Sequence, residues 1–237
     1  MFTLFFVTPE EIDNAEISLT GTQAHHAISV LRVQRNESIR LADGLGTWVE
    51  GVITELGKEK LKVQVRTRGA DRIPATSIAV AQAVLKGDNQ KAALDQLVQA
   101  GAEEIIPWQA QRSVGALDKS AKWREVILAA ARQSRRARIP QLVPMTDISG
   151  VIARASQFDA VVALHESAHL SLTGIANLFG ASNLLVIVGP EGGLSEDELN
   201  EFTQAGIPTA KLGDPVIRAD LAGAIALGAL QVITKEW

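Results

Sequence analysis

Asn183-Leu-Leu-Val-Ile-Val-Gly-Pro-Glu-Gly-Gly-Leu-Ser-Glu-Asp-Glu-Leu199 is the stretch on which the fold turns. Residues 184–188 are an apolar, β-branched run, the pattern of a strand buried on both faces. The pattern breaks at Gly189-Pro190-Glu191-Gly192-Gly193, where three glycines and a proline in five residues demand a tight turn. A helix follows: Ser195 is its N-cap, Glu198 completes a capping box, and Gly206 with Pro208 marks its end. Strand, glycine-rich turn and capped helix is how α/β proteins offer main-chain groups to a ligand. No Lys follows Gly193, as a phosphate-binding P-loop requires, and the glycines lack the G-x-G-x-x-G spacing of dinucleotide folds. Glu191 stands out, because the geometry of a glycine turn needs no charge.

Outward from this stretch, strands and helices alternate as in an α/β domain. Ser77–Leu85 reads as a buried strand. Asp88 caps a helix that carries Ala93, Leu94, Leu97 and Val98 on one side and stops at Gly101. Glu104–Trp108 and Phe158–Leu164 are strands, Leu170–Leu178 a short helix, and Thr209–Leu212 the last strand. A long basic helix is predicted from Leu117 to Arg136, with Trp123, Val126, Ile127 and Ala130 facing inward. The final helix, Arg218–Ile233, is rich in Ala and Gly and permits close approach of another backbone or a ligand. Residues 1–72 read differently. Short strands at Thr3–Val7, Ser38–Ala42, Trp48–Glu55 and Lys60–Arg66, a hairpin at Asp43-Gly44-Leu45-Gly46 and one helix at Thr22–Val30 suggest a small barrel. Gly69–Thr76 is the expected linker, giving a β domain over 1–72 and an α/β domain over 73–237. His25 and His26 point in different directions on a helix and have no Cys near them, so packing or capping explains them better than a metal does.

The chain has no cysteine, which excludes disulfides and Cys-ligated zinc and is compatible with the cytoplasm. It has no apolar run of membrane-spanning length, and its first residues lack the basic start of a signal peptide. The net charge of −4 argues mildly against a nucleic-acid partner, but its distribution does not. Residues 111–138 carry eight Lys and Arg against Asp118 and Glu125, a local +6, whereas residues 139–237 carry four bases against eleven acids. A basic stripe inside an acidic chain is an electrostatic footprint for phosphates.

Gly189-Pro-Glu-Gly-Gly-Leu-Ser-x-x-Glu198, followed by Lys211-Leu-Gly213 and Val216-Ile-Arg-Ala-Asp-Leu-Ala222, resembles the signature of the bacterial 16S ribosomal RNA uridine-N3 methyltransferases, members of the SPOUT superfamily. His25-His26, Val30-Leu31-Arg32, Asp43-Gly44 and Lys86-Gly87-Asp88 extend the resemblance over nearly the whole chain. It implies an N-terminal PUA-like RNA-binding β-barrel and a parallel-sheet methyltransferase domain whose C-terminal segment is threaded as a trefoil knot. It also implies S-adenosylmethionine as co-substrate with no metal, a cytoplasmic homodimer with no membrane association, and 16S ribosomal RNA, within the small ribosomal subunit, as substrate. Carried onto this sequence, the donor site would comprise Leu164, Gly189, Glu191, Gly192, Gly193, Leu212, Gly213, Val216 and Ile217. Arg218 and Asp220 would be the catalytic pair. Arg32, Lys86, Arg112, Arg132, Arg135 and Arg136 would contact RNA. Departures from the family pattern fall at Gln99, Arg132, Asp220 and Leu221. They feed one alternative reading, a non-catalytic RNA-binding assembly factor. A second alternative, a SPOUT methyltransferase acting on another RNA, is opposed by the N-terminal barrel and the Gly-Pro-Glu-Gly-Gly turn.

Overall fold

The computed structural model describes residues 2–114, 120–175, 178 and 180–236, and the chain separates into two compact units. The first comprises residues 1–73 together with Ala131–Ile139, and the second Pro74–Ala130 with Pro140–Trp237.

In the first unit the elements run β1 (Leu4–Phe6), α1 (Pro9–Ile12), β2 (Glu16–Thr20), α2 (Gly21–His25), β3 (Ser38–Ala42), β4 (Thr47–Leu56) and β5 (Lys60–Ala70). They make one sheet in the order β1-β3-β4-β5-β2, antiparallel except for β1 beside β3. Alternation sets the inner face: Ile39 and Leu41, Val49 and Ile53, and Leu61 and Val63 are all buried. Register shifts in the β4–β5 pairing, at Glu50/Gly51 and Ile53/Glu55, curl the sheet into a half-barrel. Two elements were not anticipated: α1, held by a Thr8/Glu11 capping box, and β2, whose Ile17 and Leu19 point inward.

The predicted linker begins too early. Gly69 and Ala70 belong to β5, where they pair with Trp48 and Thr47. The helix predicted over Thr22–Val30 is α2 continued by a π-helical turn over His26–Val30, and Arg32 behind it adopts a left-handed backbone with φ 55°. His26 packs edge-on against Phe5 and His25 Nδ1 pairs with Ser29 Oγ, so both histidines do structural work.

The second unit contains β6 (Ser77–Ala83), α3 (Asp88–Gln99), β7 (Glu104–Trp108), α4 (Ser120–Ser134), β8 (Gln141–Leu142), α5 (Ile148–Ala155), β9 (Ala160–Leu164), β10 (Leu170–Ser171), β11 (Asn183–Val188), α6 (Glu196–Gln204), β12 (Thr209–Lys211) and α7 (Ala219–Ile233). From Ala131 onward, α4 clusters with the first unit, and residues 115–119, where its predicted start falls, lie outside the described residues. All seven strands are parallel, in the order β10-β12-β9-β11-β6-β7-β8. The central β9, β11 and β6 are buried on both faces, as an apolar run between helix layers must be.

After β11 the chain passes β9 to reach β12 on its far side, then returns to lay α7 against α3, β6 and β11. A return path of this kind is what threading of a C-terminal segment requires. Gly223 makes the close approach possible, since a Cβ there would stand 2.8 Å from Leu97 Cδ2. Two local readings are corrected. Gly87, with φ 57°, occupies the cap of α3, and Asp88 instead pairs with Lys91. The helix expected from Leu170 does not start there: Leu170 and Ser171 form β10 and a 3-10 turn follows over Leu172–Gly174, while residues 176 and 177 of the expected range lie outside the described set.

Candidate functional site

The C-terminal ends of β9, β11 and β12 and the start of α7 enclose a cavity of about 480 Å³. Ligands of open parallel sheets bind at this edge. All nine residues expected at the donor site line it: Leu164, Gly189, Glu191, Gly192, Gly193, Leu212, Gly213, Val216 and Ile217, as do Arg218 and Asp220.

Beyond its own closing bond, three fastenings hold the glycine turn. Gly193 N–H closes it onto Pro190 O at 2.9 Å, with φ 69° at Gly193. On one side Arg112 Nη1 donates to the carbonyls of Gly192 (2.9 Å) and Leu194 (3.2 Å). Behind it, buried Glu198 accepts from Ser195 N–H and from Gln111 N–H, both at 2.8 Å, so the capping box of α6 also anchors the segment after β7. The third fastening is Glu191. Its Oε1 accepts from Lys86 N–H at 3.0 Å and from the Asn89 amide at 2.9 Å, tying the turn to the start of α3. This gives the charge in the turn a physical use.

Burial works against the ionised form of Glu191, and Asp220 adds repulsion. The bonds from Asn89, from its own backbone and from Lys86 outweigh both and hold the carboxyl below its ordinary value. A group depressed in the folded state stabilises above its unfolded pKa, and that contribution is lost as pH falls through the folded value. Wild type is therefore expected to melt above Glu191→Gln at neutral pH. The two should converge as pH falls below about 4, under the unperturbed glutamate value; thermal melts across pH check this.

Arg218 is the N-cap residue of α7. Its Nε and Nη2 grip Oδ1 and Oδ2 of Asp220 at 3.0 and 2.5 Å. The Asp220 side chain is 3% exposed and that of Arg218 78% exposed, so a buried acid aims a solvent-facing cation. Lys211 pairs with Asp214 at 3.0 Å at the base of the neighbouring loop. Val216 forms an open rim of the cavity, being 77% exposed.

The residues expected to contact RNA are not brought together at this cavity. Arg112 is engaged by the turn carbonyls, and Lys86 uses its backbone N–H on Glu191 while its side chain is exposed. Arg32, Arg132, Arg135 and Arg136 belong to the first unit. Arg32 and Arg135 are exposed and both left-handed, at φ 55° and 58°. Arg132 is half-buried, and desolvation lowers its pKa from the usual arginine value. The sequence reading missed Asn89, His165 and Glu166, which also line the cavity. The signal was available for the last two, which directly follow a fully buried parallel strand.

Residues 19–66 match the RNA methyltransferase PUA domain family, and residues 72–231 match the RNA methyltransferase domain family. Fold and site thus define a SPOUT-type RNA methyltransferase carrying a PUA-like N-terminal domain. The chain is 34% identical over 244 residues to the ribosomal RNA small subunit methyltransferase E of Mycobacterium tuberculosis, covering 99% of this chain and 93% of that protein. To the Bacillus subtilis protein of the same name it is 28% identical, covering 97% and 95%. The fold matches the crystal structure of the Neisseria gonorrhoeae methyltransferase E bound to S-adenosyl methionine, with a TM-score of 0.88, 24% identity and coverage of 99% and 98%. The chain belongs to the ribosomal RNA small subunit methyltransferase E family.

Proposed function

We propose that the protein methylates N3 of a uridine in 16S ribosomal RNA of the small ribosomal subunit, with S-adenosylmethionine as donor. The observation that carries this reading is the forked Arg218–Asp220 pair at the rim of a glycine-lined cavity. The residues fit the donor. The volume lies in the usual range of roughly 300–1,000 Å³ for small-molecule sites, Gly189, Gly192 and Gly193 border it without side chains, and Leu164, Leu212 and Ile217 supply apolar surface. Bound there, the donor supplies an electrophilic methyl group on a sulfonium. The protein's part is positioning and electrostatics. Arg218 offers a fixed positive charge to the negative charge that spreads over the uracil as N3 loses its proton. Asp220 holds Arg218 in place; with both oxygens occupied it is an orienting group rather than a base.

A cytoplasmic homodimer is part of the same reading. Leu221, Ile225 and Val232 form one exposed apolar face of α7, with Gly228 between them, a face suited to a second copy. RNA is assigned to the first unit, through Arg32, Arg132, Arg135 and Arg136. Replacing Arg132, Arg135 and Arg136 by Ala is expected to weaken RNA binding and flatten its salt dependence, because fewer counterions are released. Arg135→Ala alone should give most of the change, since Arg132 and Arg136 are half-buried. Binding isotherms across salt concentrations check both, and an unchanged slope removes the cluster from the interface.

The test of function is nucleoside mass spectrometry of 16S ribosomal RNA from cells with and without the gene, followed by methylation of purified small subunits. Loss of 3-methyluridine, restored in vitro, is the expected result. Unchanged 3-methyluridine overturns the reading.

A further inference from the structure

We infer that unpaired carboxylates at the cavity, Glu166 foremost, make the site select the positively charged sulfonium donor over the uncharged thioether product. The inference rests on the donor-site reading above and concerns how that site distinguishes its two states. Five charged side chains line the cavity: Glu166, Glu191, Asp220, Lys211 and Arg218. Two of the acids around it are neutralised by cations, Asp220 by Arg218 and Asp214 by Lys211. Glu191 is held only by neutral donors, the Lys86 N–H and the Asn89 amide. Glu166 makes no hydrogen bond or ion pair with any described residue, and its Oε1 lies 3.7 Å from where a Cβ on Gly193 would stand, over the turn. Of the three carboxylates in the lining only Asp220 has a cation of its own, and Lys211 is taken up by Asp214 outside the lining, so Glu166 and Glu191 keep their negative charge at the cavity.

Size and shape hardly separate donor from product, which differ by one methyl group. Charge does. The donor carries an ammonium, a carboxylate and a sulfonium, for a net charge of +1, whereas the product has lost the sulfonium charge and is a neutral zwitterion. A cleft with low-dielectric walls and uncompensated acids favours the cation. Transfer of the methyl group abolishes that advantage, so the reaction itself loosens the product's hold and a fresh donor displaces it. Glu191 cannot be varied without disturbing the brace of the turn. Glu166 can, because it is exposed and supports nothing around it.

The test is calorimetric binding of S-adenosylmethionine, S-adenosylhomocysteine and sinefungin, whose protonated amine replaces the sulfonium, to wild type, Glu166→Gln and Glu166→Asp. One screened charge at a few ångströms predicts that Glu166→Gln weakens both cationic ligands by roughly three- to ten-fold and S-adenosylhomocysteine by less than about two-fold. Glu166→Asp should keep the discrimination, and high salt should reduce it in wild type. Equal weakening of all three ligands would mean that Glu166 bonds a part common to them and would overturn the charge argument. So would no change in any of them. Failure of wild type to bind all three would instead remove the donor site itself. Melting curves of the variants confirm that the fold is retained.

Discussion

Arg218→Ala is expected to lower the single-turnover methylation rate by on the order of 100-fold, the scale for losing one preorganised electrostatic group. Donor affinity should not fall, because a group that acts in the transition state contributes little to ground-state binding and because the lost cation had offset Asp220 at the cavity. A cation at a helix N-terminus opposes the helix dipole, and Arg218 sits there because buried Asp220 grips it with both oxygens. Removing the guanidinium leaves Asp220 buried without its counter-charge, so some stability is lost as well. Arg218→Lys keeps a charge but not the fork, and should restore stability more fully than rate. Asp220→Asn tests the orienting role: a loss of roughly ten-fold, with the pH–rate profile keeping its acid limb, since orientation and not proton transfer is disturbed. Single-turnover assays across pH read all three variants. A wild-type rate in Arg218→Ala would remove that residue from the mechanism, and loss of the acid limb in Asp220→Asn would make Asp220 the base.

The parts of this site that could be read in the sequence are those whose causes are local. An apolar run, a glycine cluster and Ser195 followed by Glu198 have direct physical meanings, and β11, the turn and the capping box of α6 lie where those meanings put them. Thr8-Pro9-Glu10-Glu11 carries the same kind of local signal for α1. What could not be read is pairing across distance. Nothing near Arg112 says that its charge serves two carbonyls eighty and more residues away, nor near Lys86 that its main chain serves Glu191. A basic stripe looks the same whether its arginines meet phosphates or carbonyls. The strand order is likewise invisible, because β8 and β10 have two residues each and parallel pairing leaves no local mark. The return of Ala131–Ile139 to the first unit depends on bonds such as Ala137 N–H to Asp71, sixty-six residues apart. Asp88 has the composition of a cap but not the role, because Gly87 reaches φ 57°, a conformation that lets the chain enter α3 without a side-chain cap.

The same long-range contacts redirect the most damaging substitution in the turn. Gly192 is the obvious target, yet a Cβ there would meet Arg112 Cβ at 3.2 Å. Valine at 192 would press on the segment after β7 and disturb the clasp of Arg112 on the Gly192 and Leu194 carbonyls, so binding and stability would fall together. Gly193 is the cleaner site. A Cβ there meets only Glu166 Oε1, at 3.7 Å, so a side chain at 193 would have room and would enter the cavity. The obstacle is the backbone: φ is 69°, and a β-branched residue in the left-handed region costs about 1–2 kcal/mol. Gly193→Val is therefore expected to abolish measurable donor binding, by filling the cavity and straining the turn, while the melting temperature drops by only a few degrees. Gly193→Ala, with the smaller side chain, should retain weakened binding. Calorimetry and thermal melts on Gly192→Val, Gly193→Val and Gly193→Ala separate the two routes: at 192 the loss tracks stability, at 193 it exceeds it. Normal donor affinity in Gly193→Val would mean that the ligand does not rest on this turn, and the donor site would have to be sought elsewhere on the sheet's C-terminal edge.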